Sequence, residues 1–199
     1  LSETVQISWV YDIVKNMKSI AIRKTKESDA EQHVKLHAKV WRDCYSHIMP
    51  KEIFDDNDAK IEERIENFAK RGINKDGFIN FVATDSNRIV AFAIGLIESK
   101  YDHYRELGYA ELMAIYIDPE YQSLGIGRKL FNKITNELKK RNCDKMVIGV
   151  LKENQKARKA YEKWGGKLDV FEKPFEKMGY SFPEVFYLYD FENNRVSKN

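Results

Sequence analysis

The residues with the most chemical promise lie between Gln122 and Arg128, in the run Gln-Ser-Leu-Gly-Ile-Gly-Arg. Gly125 and Gly127 let the backbone approach a ligand closely and take conformations that a Cβ forbids. Leu130, Phe131, Ile134 and Leu138 follow at helical spacing, with Lys129, Lys133 and Lys139 between them. The run therefore meets a helix N-terminus, whose free N–H groups and positive dipole end suit an anion such as a pyrophosphate. Arg128 can add a charge-assisted hydrogen bond. Taken alone, Gly-x-Gly equally marks a plain turn. It is not a dinucleotide fingerprint, because Leu130 stands at the third glycine position, and no phosphate-loop Gly-Lys-Ser/Thr follows.

Two segments must position this turn. Upstream, Leu112 to Ile117 is an apolar run bearing Ile115, Tyr116 and Ile117, which reads as a strand buried on both faces. Asp118-Pro119 ends it, since proline has no N–H for a ladder. Downstream, a second strand, Met146 to Leu151, leads to Asn154, a helix-capping residue type. The helix after it carries Ala157, Ala160 and Tyr161 and closes on Trp164-Gly165.

Gln-x-x-Gly-x-Gly-Arg after a strand ending in Asp-Pro resembles the acyl-CoA-binding motif of the GNAT superfamily of N-acyltransferases. The order strand, Asn, helix, Tyr, aromatic-Gly is similar to a second motif of the same superfamily. The resemblance runs from about Ser19 to Asp190 and is strongest from Glu111 to Gly165. It implies that the N–H groups of Gln122, Ser123, Leu124, Gly125, Ile126, Gly127 and Arg128 hold the diphosphate of acetyl-CoA. It also implies that the central strand splays from its parallel neighbour, so that the pantetheine arm adds to the backbone edge of Ile115 and Ile117. Asn154 would bond the arm as well as cap its helix, and Tyr116 and Ala157 complete the coenzyme-binding set. Tyr161 is the implied general acid, with a core aromatic as the alternative. Glu111, 11 residues before Gln122, is the implied general base, with a solvated strand-end carboxylate as the alternative. The implied reaction is acetyl transfer from acetyl-CoA, as co-substrate, to a primary amine by direct attack in a ternary complex. The amine could belong to a small molecule, a polyamine, or a protein or peptide. No metal is implied.

Composition is consistent with this. A chain of 199 residues with 43% hydrophobic and 33% charged residues can form one domain with a core of its own. Its 34 basic and 31 acidic residues leave a net charge of +3, mild enough to disfavour a nucleic-acid partner yet suited to polyanionic CoA. No apolar run is long enough to span a bilayer. Cys44 and Cys143 read as reduced thiols in a cytoplasmic protein. His33 and His37 share a helix face and read as a solvated pair rather than a zinc site.

In chain order, residues 1–16 read as an extension or appended segment, with Val10, Ile13, Val14 and Met17 at helical spacing. The acetyltransferase domain is expected over residues 17–192, with a polar tail at 193–199. Ser19 to Lys24 reads as a strand. A helix opens at Ser28-Asp29 and ends near Tyr45. A second helix, Asp58 to Lys70, buries Ile61, Ile65, Phe68 and Ala69 and stops at Gly72. Phe78 to Thr84 and Ile89 to Ile97 form a hairpin. Tyr101 to Leu107 is a connection. Lys167 to Glu172 and Glu184 to Asp190 are the last strands. The order predicts an α/β fold with a mixed sheet flanked by helices. The resemblance makes that sheet mostly antiparallel, with splayed central strands.

By the same resemblance the acceptor pocket is built by Tyr45 to Asp58 and by a loop, Lys173 to Pro183. Asp55, Asp56 and Asp58 could draw a cationic amine, or serve only as helix-start charges. Trp41, Tyr45 and Phe54 are candidate lining residues, with core packing the alternative for Trp41. A CoA-binding regulatory module without turnover is the competing function. A homodimer and acyl groups longer than acetyl stay open.

Overall fold

The computed structural model describes residues 20–70 and 77–191. The expectations for residues 1–19, for Gly72 and for the tail lie outside that range. Among the described residues, seven strands form one sheet in the order β1-β2-β3-β4-β5-β7-β6. They are β1 (Ile20–Lys24), β2 (Phe78–Asp85), β3 (Arg88–Leu96), β4 (Ala110–Ile117), β5 (Lys145–Leu151), β6 (Lys167–Lys177) and β7 (Tyr180–Asp190). Every neighbouring pair is antiparallel except β4 and β5. That parallel pair holds only at Ala110 opposite Met146 and Glu111 opposite Val147. Beyond Glu111 the two strands part, and this is the expected splay.

Among the described residues, six α-helices flank the sheet: α1 (Ala30–Tyr45), α2 (Lys51–Ala59), α3 (Ile61–Lys70), α4 (Asp102–Glu106), α5 (Ile126–Lys140) and α6 (Gln155–Lys163). On one face α5 packs on β2, β3 and β4, burying Leu130, Phe131, Ile134 and Leu138. Those are the residues whose spacing predicted the helix, and they join the largest core cluster with Ile79, Ala93, Leu112 and Ile148. On the opposite face α1 covers β3 and β4 and packs against α2 and α3.

Three segments differ from expectation. The stretch before Asp58 is not a connection but α2, which starts after Pro50 and buries Ile53 and Phe54. Its run of acids concealed it. Asp55 pairs with Lys51 and Arg42, Asp56 with Lys60, and Asp58 with Arg42. Lys173 to Pro183 is not a loop but the tip of the β6–β7 hairpin, turning at Met178 and Gly179, both with positive φ. Pro174 and Pro183 face each other across it. They are tolerated because β6 is an edge strand and the β5–β7 pairing stops at Glu184. Ile61, Ile65 and Phe68 are half-buried rather than core; of the three, Phe68 lines a chamber and stacks on the His33 ring.

Candidate active site

A cleft of about 630 Å³ opens where β4 and β5 separate. Its walls are β4 from Leu112 to Ile117, the turn around Gln122 to Arg128, β5 at Ile148 to Val150, α6 from its cap to Trp164, and Val40, Cys44 and Tyr45 of α1. Ile115, Tyr116, Ile117, Gln122, Ser123, Gly125, Ile126, Gly127, Arg128, Asn154, Ala157 and Tyr161 therefore share one cavity. Leu124 does not; its side chain packs on the core instead.

The backbone geometry follows from the ladder. Asp118 N–H donates to the Val90 carbonyl at 2.8 Å, toward β3. Backbone direction alternates along a strand, so Ile117 and Ile115 aim their N–H and C=O groups at the opposite edge, into the splay. Gln122 Nε2 donates to the Ile117 carbonyl there at 3.1 Å. Gly125 is the N-cap of α5 with φ of 76°, a conformation suited to glycine. Gly127, two residues further on, sits against the wall, where a Cβ would stand 2.9 Å from Ile117 Cδ1 and 3.3 Å from the Trp164 ring.

Asn154 caps α6 by accepting from Ala157 N–H at 3.1 Å and donates through Nδ2 to the Tyr45 hydroxyl at 3.2 Å. Burial raises the hydroxyls of Tyr45, Tyr116 and Tyr161 above the usual tyrosine range, so all three are protonated at neutral pH. Among the described residues, Arg128, Lys156 and Lys163 line the cleft and no Asp or Glu does. Lys156 also bonds the Gln122 side-chain oxygen across it. Lys156 and Lys163 were not singled out from sequence. Their signal was available, since 156, 160 and 163 fall on one side of a helix.

Glu111 is only 1% exposed, so it is not a solvated strand-end carboxylate. It accepts from Ser99 Oγ at 3.0 Å and Lys100 N–H at 2.8 Å, with Lys100 Nζ at 3.5 Å. It stands beside Leu112, which lines the cleft, but does not line it itself. A second buried carboxylate, Glu184 on β7, accepts from the Tyr101 hydroxyl at 2.8 Å. Burial holds Glu184 above the ordinary carboxylate range, and the charge of Glu111 adds to that. Its Oε1 lies 2.8 Å from where a Cβ on Gly149, a cleft residue, would stand. Sequence alone concealed Glu184, because only the sheet order brings β7 beside the splay.

A second chamber of about 700 Å³ also borders α1 and shares Met113, Ala114 and Tyr116 with the cleft. Its other walls come from α1, α2, α3, β2, β3 and β6. Trp41 and Phe175 line it. Phe54 does not, being core at 2% exposure, and Tyr45 faces the cleft. Tyr180 ties the hairpin tip to α2 by donating to Glu52 at 2.6 Å. His33 and His37 line this chamber, so they are not the expected solvated pair. They stack against Phe68, Phe92 and Tyr116.

A model of the Acetyltransferase (GNAT) family matches residues 39–166, well over half of the chain. The chain belongs to the GNAT family. Among its relatives, the [ribosomal protein bS18]-alanine N-acetyltransferase of Escherichia coli K12 is 33% identical over 88 residues, 44% of this chain. The match spans 54% of that relative's length. The spermidine N(1)-acetyltransferase of Thermoplasma acidophilum is 26% identical over 170 residues, covering 79% of this chain and 99% of the relative. The crystal structure of the PaiA N-acetyltransferase from Thermoplasma acidophilum in complex with coenzyme A superposes with a TM-score of 0.65 at 22% identity. It covers 84% of this chain and 98% of that one. The GNAT fold, a mostly antiparallel seven-stranded sheet with one parallel pair and flanking helices, is thus the fold of this chain.

Proposed function

We propose that this GNAT protein transfers an acetyl group from acetyl-CoA to a primary amine by direct attack in a ternary complex, in a cytoplasmic setting. The observation that carries the reading is the splay: an unpaired β4 edge running into a glycine turn, with three cations and no carboxylate around the cleft among the described residues. The N–H groups of Gln122 to Arg128 would hold the diphosphate, helped by Arg128 and Lys156. The edge of Ile115 and Ile117 would hold the pantetheine arm by main-chain bonds. An N–H near Ile115 would polarise the thioester carbonyl.

The amine nitrogen attacks that carbonyl carbon, the carbon–sulfur bond breaks, and Tyr161 gives its proton to the departing thiolate. The proton lost by the amine must be taken up by a base. Glu111 is the candidate, acting through a water because it lies behind the cleft wall. Glu184 is the second carboxylate of the same buried group. The amines named for the relatives, a protein alanine and spermidine, frame the acceptor class. Thiol release from acetyl-CoA over a panel of amines tests the reading. Turnover with at least one amine is expected. Coenzyme binding without turnover for any amine would favour the regulatory module instead.

A further inference from the structure

The second chamber carries a charge pattern that bears on the acceptor. Among the described residues, its lining includes Arg64 and Lys177 and no Asp or Glu. Arg64 Nη2 meets His37 Nδ1 at 2.8 Å, which makes that nitrogen the acceptor of a neutral imidazole. Burial lowers His37 to about 4 and His33 to about 3, so neither ring carries charge at neutral pH. Among the described residues, Arg64 Nη1 and His33 Nε2 are buried without a hydrogen-bond partner. His33 is 4% exposed. The nearest acid acting on Arg64 is Asp58, whose carboxylate is bonded to Arg42 at 2.5 Å. Asp55 and Asp56 are likewise held in ion pairs. The acids that could have drawn a polycation are thus neutralised on α2, while among the described residues no carboxylate lines the chamber beside the half-buried Arg64 guanidinium.

A buried cation with an open donor is costly unless an anion completes it. Around it the walls are aromatic: Trp41, Phe68, Phe92 and Phe175. From this juxtaposition we infer that the chamber at Arg64 and His33 receives a small apolar amine bearing an oxyanion, and disfavours polyamines. The oxyanion would be gripped by Arg64, while the amine would point toward the thioester past Met113, Ala114 and Tyr116, which line both cavities. This deepens the acetyltransferase reading and rests on it for the direction of the amine. The oxyanion could be a carboxylate or a phosphonate, and both meet the same donors.

The test uses matched pairs with the full chain: L-phenylalanine against phenethylamine, L-methionine against 3-(methylthio)propylamine, the phosphonate analogue of phenylalanine, and spermidine. Thiol release should favour the carboxylate member by roughly tenfold or more in kcat/KM. Arg64→Gln should bring that ratio to within about twofold, mainly through KM, with acetyl-CoA affinity unchanged. Arg64→Lys should keep part of the preference, since it retains charge without the fork. The phosphonate arm shows which oxyanion geometry is preferred; its acceptance at the carboxylate's level or above supports the site equally. Calorimetry of the same compounds with CoA present reads binding without turnover. Carboxylate binding that is lost in Arg64→Gln would uphold the anion site even if no thiol were released, and only the transfer reading would then fail. Equal or better use of phenethylamine or spermidine by the unaltered chain would overturn the anion site and leave the transfer reading intact.

Discussion

Tyr161 is buried beside the splay with its hydroxyl proton held firmly, which suits a donor to a leaving thiolate. Tyr161→Phe removes that proton and little volume. We expect kcat to fall by about 10²-fold or more at high pH, with acetyl-CoA affinity nearly unchanged by calorimetry. An unaltered kcat would return Tyr161 to a packing role. Glu184 gives a second residue-scale prediction. Its folded pKa is raised, so the folded state binds more protons than the unfolded one between the two values. Stability therefore falls as pH rises through that window. Glu184→Gln, which can still accept from Tyr101, should raise Tm above the window and leave it unchanged below about pH 4, under the usual glutamate value. A Tm gain that is equal at all pH values would contradict the burial account. For the base itself, Glu111→Gln and Glu184→Gln are compared by pH–rate profile, and the variant that loses the acidic limb identifies the proton acceptor.

At the scale of elements, the turn between β4 and α5 is the part most exposed to error in packing. A methyl at Gly127 would press on Ile117 and on the Trp164 ring. Gly127→Ala should cost about 1–3 kcal/mol, as overpacked sites do, and lower Tm by several degrees. Lys156 reaches from α6 to Gln122 over the proposed diphosphate site. Lys156→Ala should weaken acetyl-CoA roughly 5- to 30-fold, as loss of one charge-assisted bond does, and reduce the salt dependence of binding. These elements were legible in the sequence because each signal was local. Leu130, Phe131, Ile134 and Leu138 mark α5 by period, and Asp118-Pro119 and Asn154 mark its neighbours. α2 was hidden because its short apolar pair, Ile53 and Phe54, is outnumbered by acids whose ion pairs are tertiary or i,i+4. The β6–β7 tip was hidden because Pro174 and Pro183 break strands except at the edge and ladder-end positions they occupy.

For the whole molecule, the sheet order does what no single motif can. It sets β5 beside β4 and β7 beside β5, so that the cleft at the splay and the chamber share Met113, Ala114 and Tyr116 as lining. The chamber draws on residues from His33 to Lys177, which is why the histidines looked like a surface pair in sequence. Both sites lie within residues 20–191, and we propose that residues 1–16 stand outside the catalytic unit. A chain starting at Met17 should keep kcat within about twofold of the full chain, and a large loss would refute this. The central claim is that backbone amides at Gln122 to Arg128 grip the diphosphate of acetyl-CoA while its arm runs along β4. A crystal structure with acetyl-CoA bound tests it most directly. Diphosphate oxygens about 3 Å from those amides, with the thioester near Tyr161, are predicted; coenzyme bound away from this turn, or an arm that leaves the β4 edge unpaired, would contradict it.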